Sequence, residues 1–546
     1  MSLANYPKQL VADALAMLGV RRLAIGIHDQ SFPSSPDEDF GRGSPYSRAG
    51  RRFLEFVREL GFNAIQFGPQ GKTTRGDPSP YNSAAFAKNV LSLSPLTLTE
   101  DAEELFESHA VQELAAIVDR SRERSAVHDR AHADHAAAWD AAQDLLDLAN
   151  SHFRSGTTES VAGVRKAFAQ FVASKQAAAI DWFTRDCLFE ALSQRAGTDD
   201  WTRWGECKGM LPIDQRLFAP DAGEAADCRA RIDELKHEES AAMERAAFGQ
   251  FLVHRQHERL RRGAGELGLA LLGDLQIGYS HQDCWSWRSL FLKGYLLGAP
   301  PSRTNPEGQP WGYPVLDPRL TRSLGASRSS SAGPALRFIW ARAEKLFSEF
   351  DGLRIDHPQG WVCPWVYRSN TPDPFEAVRG GARLYSSPNF PDHPELSEFS
   401  IVEPEQLNPD PRCTRYDDAQ VRDLRPEQID RFAVPLDVIL ECAAAAGRQR
   451  SDVLCEVLST WPMPLKAVMT ARGLGRFCVT QKADAKNPLD VYRSENTAPS
   501  DWIMVGNHDT RPIWRIAGDQ AGTPWMEDRC RLLAQRLLKD DGERAA

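Results

Sequence analysis

The chain has 546 residues, which by length alone allows roughly two to four domains or one α/β barrel with insertions. Its composition, 42% hydrophobic and 26% charged, is that of a globular chain able to bury a substantial core. A net charge of −10 argues against a reader of nucleic-acid backbones, which needs clustered Lys and Arg, and suits neutral ligands such as sugars.

The ten cysteines include no C-x-x-C pair and no Cys/His cluster at zinc spacing; Cys455 and Cys478 sit in apolar contexts that suit buried free thiols. Residues 1–20 lack the basic start and unbroken apolar core of a signal peptide, and no run has the length of a membrane span. A cytoplasmic protein with no membrane partner is expected.

Arg21 to His28 reads as a buried strand. Phe53, Leu54, Phe56, Val57 and Leu60 then recur at helical spacing, Gly61 supplies a stop, and Asn63 to Gly68 is a second apolar strand. Strand, helix and strand in that order are the opening of a parallel sheet. Gly76 to Asn89 follows as a loop in which Tyr81 suits either a stacking platform or a loop anchor.

From about 98 to 262 the pattern is helical, rich in Ala, Glu, Arg and Gln, with an aromatic-rich turn around Trp201 and Trp204. His128, His132 and His135 fall at i, i+4 and i+7 there, on a solvated stretch without a matching carboxylate motif, and read as a surface face. Leu267 to Ile277 is the next strand, with Asp274 near its end. Two Gly/Pro-rich stretches, Leu297–Pro301 and Gly308–Pro314, predict a shaped loop presenting Trp311. Thr321 to Ser331 reads as an irregular Ser/Arg-rich segment, and Ala335 to Phe350 as an amphipathic helix.

The run Gly352-Leu353-Arg354-Ile355-Asp356-His357-Pro358 is a short strand that delivers polar groups at its C-terminal end. Side-chain direction repeats every second residue, so Arg354 and Asp356 share a face and the guanidinium favours an ionised, nucleophilic Asp356. Asp452 to Leu458 is a further strand ending near Glu456, Gly475 to Gln481 another, and Asp501 to Asp509 another that ends in His508 and Asp509. One helical stretch, about Trp525 to Lys539, follows. Strands alternating with helices, each with a polar tip, predict an α/β fold of the (β/α)8 TIM-barrel type with a large helical insertion.

Three acids, Asp356, Glu456 and Asp509, therefore stand at strand ends that a barrel brings to one face. A retaining glycosidase needs an ionised nucleophile and a protonated acid. Asp356 fits the first role. Glu456, after an apolar run and without an evident cationic neighbour, fits the second because desolvation raises a carboxyl pKa. Asp509 with His508 can hold sugar hydroxyls and steady an oxocarbenium-like transition state.

With these residues in hand, the chain resembles the 4-α-glucanotransferases (amylomaltase, or disproportionating enzyme) of glycoside hydrolase family 77 in the α-amylase clan. The matching stretches run in family order: Ser79-Pro80-Tyr81 with Ala85-Phe86-Ala87, Gly273-Asp274-Leu275, Gly298-Ala299-Pro300-Pro301, Gly308-Gln309 with Trp311-Gly312, Arg354-Ile355-Asp356-His357, Glu456, and His508-Asp509. The resemblance implies Asp356 as nucleophile, Glu456 as acid/base and Asp509 as transition-state stabiliser. It places Tyr81, Asp274, Arg354, His357 and His508 around the sugar and Trp311 on a loop guiding the glucan. It implies no metal and no organic cofactor, and donor and acceptor α-1,4-glucans as partners.

Departures from the family pattern are Val457-Leu458-Ser459 after the acid, Thr510-Arg511-Pro512 after the stabiliser, and Pro358 after R-I-D-H. Members continue well past the H-D motif, so the resemblance leaves two expectations open: a shortened chain whose barrel lacks its last β/α unit, or a barrel that closes in some other way. The expected partition is 1–97 as the first part of the barrel, 98–262 as the helical insertion and 263–546 as the remainder. Two other readings stay open: a catalytically impaired glucan-binding protein of the same fold, and an α-glucan hydrolase.

Overall fold

The computed structural model describes residues 8–100, 110–125, 132–302, 305–321 and 333–537. Among these, the strands in chain order are β1 (Ala24–Ile27), β2 (Ala64–Phe67), β3 (Ala270–Leu275), β4 (Phe291–Ala299), β5 (Gln309–Leu316), β6 (Gly352–Ile355), β7 (Trp365–Arg368), β8 (Ala382–Arg383), β9 (Val453–Cys455), β10 (Phe477–Val479) and β11 (Trp502–Met504).

The first crossover shows how local chemistry builds the sheet. Ser47 caps the helix Arg48–Glu59 by accepting from the Gly50 N–H, and Leu54 and Val57 form its buried face. Gly61 takes the left-handed turn (φ +96°) that sends the chain into β2. The helix Pro334–Glu349, with Pro at its first position, likewise buries Phe338, Ile339 and Phe347 before β6.

The result is a mixed α/β fold around a five-stranded parallel sheet in the order β1-β2-β3-β6-β9, with β10 and β11 forming a separate parallel pair. Register sets Arg354 beside Asp274 on one side and Leu454 on the other. Ile65, Leu271, Leu353 and Ile355 are fully buried. Each such side chain contributes about 1.5–3 kcal/mol relative to exposure, which is why these strands read as apolar runs.

The sheet is curled. Ala24, Ala64, Leu272, Leu454, Phe477, Trp502 and Met504, from six strands, pack in one cluster. At the opposite end from the polar tips, Arg21 and Arg22, just before edge strand β1, both pair with Asp452, just before edge strand β9.

A second, antiparallel sheet, β5-β4-β7-β8, corrects the expectation of a shaped loop at Gly308–Pro314. Gln309–Leu316 is a strand despite Pro310 and Pro314. It lies at the sheet edge, pairs with β4 through bulged registers, and so escapes the requirement for an N–H at every position.

Between β2 and β3 the long helices are Ala110–Ser125, His135–Ser155, Glu159–Gln176, Trp182–Ala196, Ala225–Glu238 and Ser240–Glu266. Phe153, Phe168, Phe248 and Phe251 interlock among them, with Phe153 stacked on Phe248 at 4.3 Å. Of the three histidines expected on a surface face, His132 is exposed and His135 half-buried. His128 lies outside the described residues, His132 precedes the helix, and His135, its first residue, meets the Thr74 carbonyl at 2.8 Å through Nε2. Apart from Thr321, the Ser/Arg-rich segment also lies outside the described residues.

Among the described residues after Asp509 two helices occur, Ile513–Asp519 and Pro524–Leu537, where the sequence suggested one. No helix among the described residues is long and apolar enough to cross a membrane.

Candidate active site

The C-terminal ends of the parallel strands carry a continuous set of polar side chains. His28 follows β1, Asp274 lies in β3, Asp356 follows β6, Glu456 follows β9, and His508 and Asp509 lie in the loop after β11. Parallel strands deliver their C-terminal residues to one edge, so positions hundreds of residues apart meet there.

Arg354 is the hub. Nearly fully buried, it donates from Nη1 to Asp274 Oδ2 at 2.5 Å and from Nη2 to Asp356 Oδ1 at 3.1 Å, and its Nη2 lies 2.5 Å from Glu456 Oε2. Burial opposes its charge, but the three carboxylates hold its pKa well above the usual guanidinium value. Burial likewise pushes Asp356 up, yet His357 and then Arg354 outweigh it and hold the carboxyl below its ordinary range. The Ile277 N–H also donates to Asp356 Oδ2 at 3.3 Å. Asp274 shows the reverse balance: burial dominates over Arg354 and moves it up to about 8. Its hydrogen bond into the site is the one from Arg354.

The expectation that Glu456 lacks a cationic neighbour is overturned, because register places Arg354 against it and His357 Nδ1 lies 3.6 Å away. One of its oxygens, Oε1, is buried with no hydrogen-bond partner. Carboxylate oxygens of Asp356 and Glu456 lie within 4.8 Å of each other, as do those of Glu456 and Asp509, so the three acids converge on Glu456. The first pair also groups with His357 and the second with His508, spacings that could suit a cation. Arg354 already sets a positive charge against Glu456, which disfavours a second one there. Asp509 is half exposed and 3.3 Å from His508 Nε2, so it stands in the loop, five residues beyond β11, rather than on a buried strand tip.

Aromatic rings line both flanks. Tyr81 stacks on His508 at 5.1 Å, and the Arg354 guanidinium lies 5.7 Å from its ring centre. Its hydroxyl lies 3.4 Å from both His28 Nε2 and His508 Nδ1. Burial, then Asp274, raises its pKa so that it stays protonated. Opposite, Trp311 stacks flat on His357 at 4.9 Å and 5°. His357 is the described non-glycine residue with positive φ (+43°), a strained backbone held by that stacking and by the Gly360 N–H on its carbonyl.

All nine residues singled out in the sequence therefore form one chain of contacts, from Trp311 through His357, Glu456 and Arg354 to Tyr81, His508 and Asp509. A cavity of about 460 Å³ is lined by Trp311, His357, Glu456 and Asp509 together with Arg383 and Lys482. Such a volume admits sugar rings, and its mix of aromatic faces and hydrogen-bonding groups suits carbohydrate.

Sequence reasoning missed His28. Burial, then His508 and Arg354, lower it to about 4, so it is neutral near pH 7 and its ring packs 5.3 Å from that of His508. It is the residue immediately after the first strand, the same signal that marks Asp356 and Glu456. It also missed Gly278, where a Cβ would sit 2.2 Å from the Tyr81 carbonyl, so the Tyr81 backbone requires a glycine there.

A sequence model of the family described as 4-alpha-glucanotransferase matches residues 28–526. The 4-alpha-glucanotransferase of Aquifex aeolicus is 26% identical over 367 residues, covering 63% of this chain and 61% of that protein. That of Thermus thermophilus is 28% identical over 406 residues, covering 70% and 69%. The chain spans about three-fifths of the length of the Aquifex relative and of its Synechocystis counterpart. Among solved structures, the amylomaltase from Streptococcus agalactiae in complex with acarbose superposes with a TM-score of 0.63 at 17% identity over 94% of this chain and 88% of that one, a likeness of fold.

Proposed function

The chain belongs to the 4-alpha-glucanotransferase family whose model spans residues 28–526, and from that premise we propose that it moves α-1,4-glucan segments between maltodextrins by a retaining double displacement. The observation that carries this reading is the convergence of Asp356 and Asp509 on Glu456, which with Asp509 lines the cavity, with carboxylate oxygens of Asp356 and Glu456 within 4.8 Å of each other. Retaining pairs stand about 5–5.5 Å apart, whereas inverting pairs need about 6.5–9.5 Å to admit water.

Asp356, held ionised, attacks the anomeric carbon while Glu456 gives its proton to the departing glycosidic oxygen. Asp509 with His508 binds ring hydroxyls and steadies the positive charge that develops on the sugar. In the second half-reaction Glu456 removes a proton from the 4-hydroxyl of an acceptor glucan, which attacks the glycosyl–Asp356 ester and frees the nucleophile. Trp311 and Tyr81 offer faces to the glucan on either side, with donor and acceptor glucans as the partners.

The architecture we assign is a (β/α)8-type barrel carrying a helical insertion, with the chain partitioned at about 97 and 262. Supporting it are the parallel strands, the cluster joining side chains of six of them, and the Arg21–Asp452 pair between sheet edges. The unpaired cysteines suit a cytoplasmic location.

Incubation with maltotriose tests the activity. Glucose appearing together with longer maltodextrins is the expected result. Reducing sugar without chain lengthening would make the chain a hydrolase, and binding without product would make it a glucan-binding protein.

A further inference from the structure

Residues 83–95, directly behind Tyr81, are buried throughout yet have almost no regular secondary structure. Buried backbone groups must find partners, and an irregular segment cannot supply them itself. Part of the need is met by the neighbouring chain: Ala84 donates to the Lys72 carbonyl and Asn89 to that of Gln70. The rest is met by buried side chains. Asp283 accepts from the Ala85 N–H, and Asp186, in the helix Trp182–Ala196, from the Ala87 N–H.

Two glutamines of the helix Ser240–Glu266 do more. Gln250 accepts from the Lys88 N–H at 2.7 Å and donates to the Lys88 carbonyl at 2.9 Å. Gln256 accepts from the Ser94 N–H and donates to the Ser94 carbonyl, both at 2.9 Å. Each side-chain amide thus pairs with both groups of one residue, as an adjacent strand would. Tyr81 is the next ring along: Gln276 fixes the Ser83 carbonyl at 3.2 Å, Tyr313 holds the Asn82 side chain, and Gly278 abuts the Tyr81 backbone.

We infer that Gln250 and Gln256 are positioning residues through which the helix Ser240–Glu266 fixes Tyr81 against Arg354 and His508. This inference rests on the transferase reading above. It gives the helical block a role in turnover rather than in bulk stability, because beyond the single bridge of Lys88 with Gly71 the segment has no ladder to hold its register when one pair is lost.

The test combines maltotriose kinetics with amide hydrogen exchange on Gln250→Leu and on Gln250→Glu, which keeps the acceptor but loses the donor to Lys88. At a temperature where the variants remain folded, the expected result is at least a tenfold loss of kcat/KM and faster exchange across residues 81–89. Tyr81→Ala should cost little more in the Gln250→Leu background than that variant alone, since both remove one function. Should Gln250→Leu not fold, Gln250→Glu carries the comparison. A lowered melting temperature with kcat/KM intact, or fully additive losses with Tyr81→Ala, would overturn the inference. Absence of any turnover by the unmodified chain would instead overturn the transferase reading, leaving exchange at residues 81–89 to decide the positioning role.

Discussion

Two buried ionic clusters in this molecule are built on opposite principles. At the strand tips one guanidinium, Arg354, faces three carboxylates. Beneath the loop behind Tyr81, a single carboxylate, Glu349, faces Lys88 at 2.9 Å, Lys345 at 2.9 Å and His254 at 3.3 Å. Burial would raise Glu349, but the two lysines hold it well below the usual range.

The first cluster sets three carboxyl groups around one cation, with Asp274 pushed up to about 8 and Asp356 held ionised, and it borders a cavity through Glu456. The second is over-supplied with positive charge and closed to ligand, which suits anchoring. Neutralisation and access, more than burial, separate a site that reacts from one that only holds.

The sharpest way to break this contrast is Asp356→Asn, expected to lower turnover on maltotriose beyond the ~10²–10⁴ typical of losing a general acid–base group. A variant of near-normal activity would remove the nucleophile assignment. Glu456→Gln should fall within that ~10²–10⁴ range. With an α-maltosyl fluoride donor, whose fluoride leaves without protonation, added azide should then take over deglycosylation by attacking the glycosyl–Asp356 ester, giving a glycosyl azide, if Glu456 is the acid/base.

In the anchoring cluster, Glu349→Ala leaves Lys88 and Lys345 buried without their carboxylate and should cost about 3–5 kcal/mol in urea unfolding. A loss under 1 kcal/mol would show that the pairing contributes little. The same cluster predicts a pH dependence. Burial lowers His254 to about 4, against an ordinary 6.5, although Glu349 pulls it back up. Between these values the unfolded chain binds a proton that the folded one refuses, so stability rises with pH across that window, by at most about 3 kcal/mol. Stability curves for His254→Gln should flatten between pH 4 and 6.5; an unchanged slope would assign the effect to other groups. The smallest effect is expected for Trp311→Ala, about a tenfold rise in KM as one stacking face is lost, measured on maltotriose.

Much of this was legible in the chain itself. Apolar runs marked β2 and β3, alternation marked β6, and the polar residue closing each strand marked Asp356 and Glu456, because period and termination are local properties. The edge strand Gln309–Leu316 was not legible, since its two prolines forbid a central strand and only its place at the sheet margin makes them harmless. Nor was the cation beside Glu456: Arg354 is a hundred residues away and becomes its neighbour only through the register of β6 against β9.

By itself, then, the sequence determined which polar side chains close the strands that end at Ile355 and Cys455, because strand periodicity and the residues that end strands are written within a few positions. The tertiary structure alone decided how many carboxylates share one arginine, which face of Tyr81 is covered by His508, and which distant glutamines complete a buried loop. Those are settled by strand order and register, which depend on packing across the whole sheet and leave no trace in any short stretch of chain.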